Sequence, residues 1–296
     1  MKSLKTRRII GNVVVYVILT IMSIIWLLPI VWLVLQSFAT DIGARSRLIP
    51  NEFTADNYLA LFSNFTGFRH SGSVHTYDGI FTKWFMNTLI VAVLSCLIST
   101  LFVLGTAYAL SRFRFSGRNL FMKVNLVIGM FPGFLGMIIL YWVMKEIFHL
   151  QGSYWSLVII YSAGAGGGYY ISKGFFDTIS KSIDEAAEID GANKAQIFYQ
   201  IILPLAKPIV IYTILTSFMA PWGEYVTSSY IIGLQNVDNW TVAIGLYKFM
   251  SDNNLMMSYY TQFASGAVVV AIPITILFFC LQKYYVSGVT GGAVKG

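Results

Sequence analysis

The sequence predicts an all-α membrane protein with about six transmembrane helices, and three observations carry that expectation. Hydrophobic residues fill 56% of 296 positions and charged residues only 11%, whereas a soluble domain carries about 25% charge; the mean hydropathy is +0.68. Apolar runs recur at the length a hydrocarbon core of ~30 Å demands, roughly 20 helical residues. The Lys and Arg residues gather in short clusters beside those runs, the pattern of cytoplasmic flanks. A chain this poor in charge cannot cover its surface in water, so lipid replaces water over much of it.

The first run, residues 12–36, follows Lys2, Lys5, Arg7 and Arg8. It is too long for the apolar core of a cleaved secretory signal and has no clear small-x-small cleavage site, so it reads as an uncleaved first span. Further spans are expected near 85–110, 122–148, 155–173, 205–228 and 260–283. Gly164, Gly166, Gly167 and Gly168 weaken the fourth as a helix, and small residues there suit close packing of membrane helices.

Basic residues set the orientation. With the N-terminus inside, Arg112, Arg114, Arg118, Lys123, Lys173, Lys181, Lys194, Lys207, Lys283 and Lys295 join the N-terminal cluster on the cytoplasmic face. Only Arg45, Arg47, Arg69, Lys83, Lys145 and Lys248 fall outside. Both termini are therefore expected in the cytoplasm of a multi-pass cell-membrane protein, a single permease-sized domain over 1–296. The same clustering explains the net charge of +7 without nucleic acid as a partner. Cys96 and Cys280 lie in apolar runs, and His70, His75 and His149 lack ligand-like spacing, so neither a disulfide, a metal nor an organic cofactor is expected.

Two outer segments are long and polar, about 41–84 and 229–259; on the inner side only 174–204 is long. That inner segment holds Ser182 and Glu185, the spacing of a capping box that starts a helix. Acidic Asp184, Glu185 and Glu188 suit its first turns, Gly191 suits its end, and Pro204 suits the first turn of the fifth span. Two readings stand on chemistry alone: a helix–Gly–helix element that docks another protein, or an interfacial amphipathic hairpin.

A resemblance decides between them. Glu185, Ala186, Ala187, Gly191, Ile201, Leu203 and Pro204 stand at the spacing of the EAA signature of ABC importer permeases. In that family the loop is a coupling helix docked on an ATP-hydrolysing subunit, and the fold is that of a type I importer. Leu48–Tyr58, Asn87-Thr88-Leu89, Ala107–Phe115 and Trp222-Gly223-Glu224-Tyr225 are similar to segments of carbohydrate-uptake permeases, with Gly223 where many relatives have Asn. The tail 288–296 resembles that of the maltose/maltodextrin (MalG-like) branch.

The resemblance implies a sugar importer whose partners are a MalF-like second permease, two copies of an ABC ATPase and an extracytoplasmic sugar-binding protein. This chain has no Gly-x-x-x-x-Gly-Lys-Ser/Thr loop, so it is expected to be a transport subunit rather than an enzyme. The resemblance assigns Ser251, Asp252, Asn253 and Asn254 to a loop reaching the binding protein, and Gly291, Gly292 and Lys295 to an ATPase contact. Glu224 is the one acid well inside a span, and with Trp222 it reads either as part of the translocation path or as an anchor near the outer interface. The competing functional readings are a permease of the same superfamily for a polyamine, phosphate or amino acid, and a self-sufficient secondary transporter. The latter would show embedded charges and an internal repeat.

Overall fold

The computed structural model describes residues 2–40, 47–70, 73–163, 168–251 and 259–293. The chain divides into two compact units, one from 1–69, 73–79 and 248–269, the other from 70–72, 80–247 and 270–296.

The first unit begins with α1 (Lys2–Ser37), whose apolar side chains from Ile9 to Val31 are open around the whole circumference, as a helix solvated by lipid requires. Its C-terminal carbonyls need partners, and Asn57 supplies them. From the first turn of α2 (Asp56–Phe62), its side-chain amide donates to Ser37 O at 3.0 Å and Ala39 O at 2.8 Å. Tyr58 Oη and Ser37 Oγ pair at 2.7 Å, and the Tyr58 ring packs on Phe38. The Asn-Tyr pair of the Leu48–Tyr58 segment is thus a clasp closing the end of α1. A hairpin, β1 (Asn64–His70) and β2 (Ser73–Asp78), follows in the outer segment expected to be a polar loop.

The second unit is built around α3 (Ile80–Arg112). Packed on it are α6 (Tyr154–Ala163), α7 (Gly168–Asp177) and α11 (Lys207–Gly223). Among the described residues, three helices are long and apolar enough to cross a membrane: Arg8–Ser37, Ile80–Arg112 and Tyr260–Lys283. The last belongs to α14 (Tyr260–Ala293).

Two of the other expected spans are bent or broken. Residues 122–148 form α4 (Arg118–Gly129) and α5 (Gly133–Glu146), bent by 104°. The break falls at Phe131-Pro132-Gly133, where proline lacks a donor and pushes its predecessor out of the helical region. Residues 155–173 form α6 and α7, each ten residues long; Gly164–Gly167 lie outside the described residues. The fifth run starts at Lys207, not 205, and stops at Gly223, because Glu224 is extended at φ −85°, ψ 101° before α12 (Val226–Ile232).

The N-terminal end of α3 holds residues 237–242 firmly. Asn87 donates its amide to the carbonyls of Asp238 and Trp240, at 2.8 and 3.1 Å. Thr88 Oγ1 accepts from Val242 N at 2.9 Å, the start of α13 (Val242–Ser251). The Trp84 indole donates to Val237 O, Lys83 pairs with Asp238 at 2.7 Å, and Gly245 lets the Trp84 ring lie flat on α13. The Asn87-Thr88 pair singled out in the sequence is therefore a backbone-binding bracket.

Candidate functional site

The inner segment is built from α7 downward. The helix α8 (Lys181–Ile189) starts at Ser180, whose side chain accepts from Ser182 N, so the expected start at Ser182 is corrected by two residues. The Ser182 and Ser180 hydroxyls instead pair with one another at 2.8 Å. The reciprocal capping box forms one helix later: Asn193 Oδ1 accepts from Gln196 N, and Gln196 Oε1 from Asn193 N.

Gly191 ends α8 at φ +85°. Ala192 N reaches Ala187 O at 2.9 Å and Gly191 N reaches Glu188 O at 3.0 Å, the paired bonds of a Schellman motif. A left-handed residue is required there, which is why glycine stands at that offset.

Beyond Asn193 come α9 (Lys194–Gln196), a π-helical turn over Ile197–Ile202 and α10 (Leu203–Leu205). The axis then turns by 86° into α11. Pro204 sits in α10; the proline in the first turn of α11 is Pro208. Ala206, the residue at the corner, is fully buried.

The signature residues divide into two sets by what they touch. Ala187, Ile197 and Ile202 are buried among Val103, Leu104, Ala107 and Tyr108 of α3 and Tyr169 and Phe176 of α7; Ile201 and Leu203 pack against the same cluster. Glu185, Ala186, Gly191 and Pro204 stay exposed. So does Ile189, at 87%, an aliphatic side chain offered to something outside the chain.

Polar contacts fix α8 to the C-terminal end of α3. Arg112 and Asp184 form a buried ion pair, Nε to Oδ2 3.2 Å, with side chains 5% and 11% exposed. Arg112 Nη2 also donates to Ile179 O at 3.0 Å, and Ser111 Oγ to Asp177 Oδ1 at 2.6 Å. Burial pushes the Asp177 carboxyl up, but hydrogen bonds from Lys173 and Ser111 and the charges of Lys173 and Arg118 outweigh it, holding the group below its ordinary value. Arg112 and Asp184 were not among the expected site residues. The signal available was Arg112 itself, inside Ala107–Phe115, and the acid just before Glu185.

The remaining expected residues are scattered. Trp222 is 3% exposed and packs edge-on against Phe85, at 5.3 Å between centroids. Glu224 accepts from Thr227 N, Ser228 N and Tyr161 Oη at 2.9, 3.1 and 3.1 Å, so it caps α12 and ties it to α6. Ser251 is exposed at the end of α13, while Asp252, Asn253 and Asn254 lie outside the described residues. Gly291 and Gly292 belong to the last turns of α14; Lys295 lies outside the described residues.

A polytopic α-helical chain that exposes a short helix braced on its longest buried one has the form of a membrane transport subunit. Residues 101–291 match the family of binding-protein-dependent transport system inner membrane components, and the chain belongs to that family. It is 35% identical to the galactooligosaccharides transport system permease protein GanQ of Bacillus subtilis (strain 168), over 99% of both chains. It is 33% identical to the maltodextrin permease MdxG of the same organism, over 98% of this chain and 99% of that one. The maltose/maltodextrin permease MalG of Escherichia coli (strain K12) is 32% identical over 90% of each. A bacterial ABC transporter that imports the acidic polysaccharide alginate contains a chain of the same fold, with TM-score 0.72 and 24% identity over 93% of this chain and 96% of that one.

The resemblance read from the EAA loop therefore holds, as do the type I permease fold and the MalG-like branch. The chain is a multi-pass membrane protein, and members of its family are transport subunits that work with a substrate-binding protein and an ATPase, not enzymes in themselves.

Proposed function

We propose that this chain is one of two unlike membrane subunits of an ATP-driven importer of oligosaccharides of the maltodextrin or galacto-oligosaccharide type. The observation that carries the substrate class is similarity along nearly the whole chain to two permeases named for such sugars. A MalF-like second permease completes the membrane pore, two ATPase copies bind below, and an extracytoplasmic binding protein delivers the sugar.

The exposed face of α8, with Glu185, Ala186 and Ile189, is the surface that enters the ATPase cleft. Ala187, Ile201 and Leu203 are the root that holds it, and Gly191 sets its end. ATP-driven closure of the ATPase pair displaces α8, and α3 and α11 move with it between inward- and outward-open states. This assignment puts residues 174–204 and both termini in the cytoplasm. Asp252–Asn254 then lie outside, where an Asp/Asn-rich turn meets the binding protein, and Gly291, Gly292 and Lys295 lie near the ATPase. In this reading Glu224 acts on the path by holding the α11–α12 break, and Trp222 by packing behind it.

The test is uptake by the complex reconstituted with its binding protein, using labelled malto-oligosaccharides, galacto-oligosaccharides, a polyamine, phosphate and an amino acid. ATP-dependent accumulation of either sugar is the expected result. Accumulation of a non-sugar solute alone would replace the substrate class, and uptake without any ATPase would remove the importer assignment.

A further inference from the structure

Beside the root of the coupling element, unit two contains a cavity of about 210 Å³ between α3, α6 and α11. Its walls carry Ser99, Tyr161, Tyr212, Thr213, Thr216 and Ser217. We infer that this cavity, an apolar wall carrying a few hydroxyls, is a sugar-contacting site contributed by this chain itself, taking one pyranose ring of a neutral oligosaccharide during its passage. The inference rests on the importer reading above and adds to it a location and a chemistry.

The placement comes from helix periodicity. Thr213, Thr216, Ser217 and Ala220 recur at i, i+3, i+4 and i+7, so they share one face of α11. Opposite them stand Ser99 on α3 and Tyr161 on α6. Ser99 Oγ and Ser217 Oγ meet at 3.2 Å across the gap. In hydrocarbon a hydroxyl without a partner is costly, so so many along one wall need an explanation.

The hydrogen bonds supply it. Thr213 Oγ1 donates to Ile209 O at 2.9 Å, and Thr216 Oγ1 to Tyr212 O at 2.9 Å. The Tyr161 hydroxyl donates to Glu224 Oε2 at 3.1 Å. The hydroxyl hydrogens of Thr213, Thr216 and Tyr161 are thus spent on the protein, leaving oxygen lone pairs to accept, while the Ser99–Ser217 pair uses one of its two hydrogens and keeps the other to donate. The cavity lining is mostly apolar, with hydroxyl oxygens of Thr216, Ser217 and Tyr161 set among Val103, Ala220 and the Tyr212 ring. A sugar ring has the matching character: hydroxyl donors around its rim and C–H groups on its faces.

The same lining argues against the competing solutes. Among the described residues lining it there is no Lys or Arg to meet a phosphate or a carboxylate, and no Asp or Glu to meet an ammonium group. The nearest carboxylate, Glu224, has its oxygens taken by Tyr161, Thr227 and Ser228. The volume is several times the ~30 Å³ share of one water molecule, on the scale of one monosaccharide ring rather than a chain. An oligosaccharide would therefore pass ring by ring.

The experiment uses the complete importer carrying Ser217→Cys, with Cys96→Ala and Cys280→Ala in this chain. A small water-soluble thiosulfonate is applied during turnover with binding protein and ATP, and modification is read on this chain by mass. The expected result is labelling of the introduced thiol that slows about tenfold when an imported oligosaccharide is present at ten times its half-saturating concentration. Equal labelling with and without sugar would overturn the proposal, and so would a thiol that never reacts. In parallel, Thr216→Val should lower the sugar carried per ATP hydrolysed, since it removes an acceptor while keeping the shape; an unchanged ratio counts against the site. Failure of the parent complex to import any sugar would remove the importer reading, whereas sugar import with an unprotected thiol removes only this site.

Discussion

Arg112, the last residue of the longest buried helix, lies 3.2 Å from Asp184 in the first turn of α8, and both side chains are almost wholly enclosed. A buried pair of this kind contributes little net stability, yet removing one partner strands a charge at a cost of about 3–5 kcal/mol. It therefore fixes the angle at which α8 leaves the unit.

Arg112→Leu is expected to leave the chain in the membrane but to uncouple ATP hydrolysis from uptake, because α8 loses its brace. Pairing it with Asp184→Leu should recover thermal stability without recovering coupling. The check is a double-mutant cycle on the thermal midpoint of the purified complex, together with sugar carried per ATP. Equal coupling in all four proteins would show the pair to be a packing detail.

Gly191 is a backbone requirement, since a Cβ there would meet nothing within 4 Å yet φ is +85°. Gly191→Val should cost about 1–2 kcal/mol from the left-handed conformation alone and uncouple transport. Gly191→Asn, which tolerates that conformation, should transport far better than Gly191→Val at equal abundance.

At Gly245 the limit is space. A Cβ would overlap the six-membered ring of Trp84, so Gly245→Ala should cost about 1–3 kcal/mol of overpacking. It should also loosen the Asn87 bracket on residues 237–242. Faster amide exchange across Val237–Val242, with little change in α8, would register it.

Asp177 gives the pH dependence. Its carboxyl is held below its ordinary 3.8, so the tie to Ser111 and Lys173 is fully present above that pH and is lost as pH falls through the lower, folded value. Asp177→Asn should therefore differ from the parent in thermal midpoint at pH 7 and converge with it only well below pH 3.8. A difference that disappears already near pH 6 would mean another group titrates there.

Deleting Asp252–Asn254 should lower uptake while sparing assembly with the ATPase, read by co-purification. Loss of assembly would place this loop elsewhere.

What the sequence disclosed follows from the range of the forces involved. Apolar length and the glycine at 191 are local signals, and both matched the structure. The two sharp bends did not show in hydropathy, because Phe131-Pro132-Gly133 and Ala206 stay apolar while they redirect the axis. Trp222 packs on Phe85, far away in sequence, and hydropathy gives no sign of that contact. The Arg112–Asp184 pair joins residues 72 positions apart, a relation that periodicity cannot carry. Asn57 and Asn87 were visible as residues typical of a family, but their work as carbonyl clamps needed coordinates.

The π turn at Ile197–Ile202, where Leu203 N–H reaches back five residues to Phe198 O, holds one surplus residue in the shaft between α8 and α11. Each helical residue contributes about 100° of rotation. Loss of a single codon in that stretch would straighten the turn into ordinary helix and swing α8 by roughly that angle about the shaft. The direction in which α8 points is thus set by a single surplus residue, so under the proposed coupling role one codon would be enough to re-aim it.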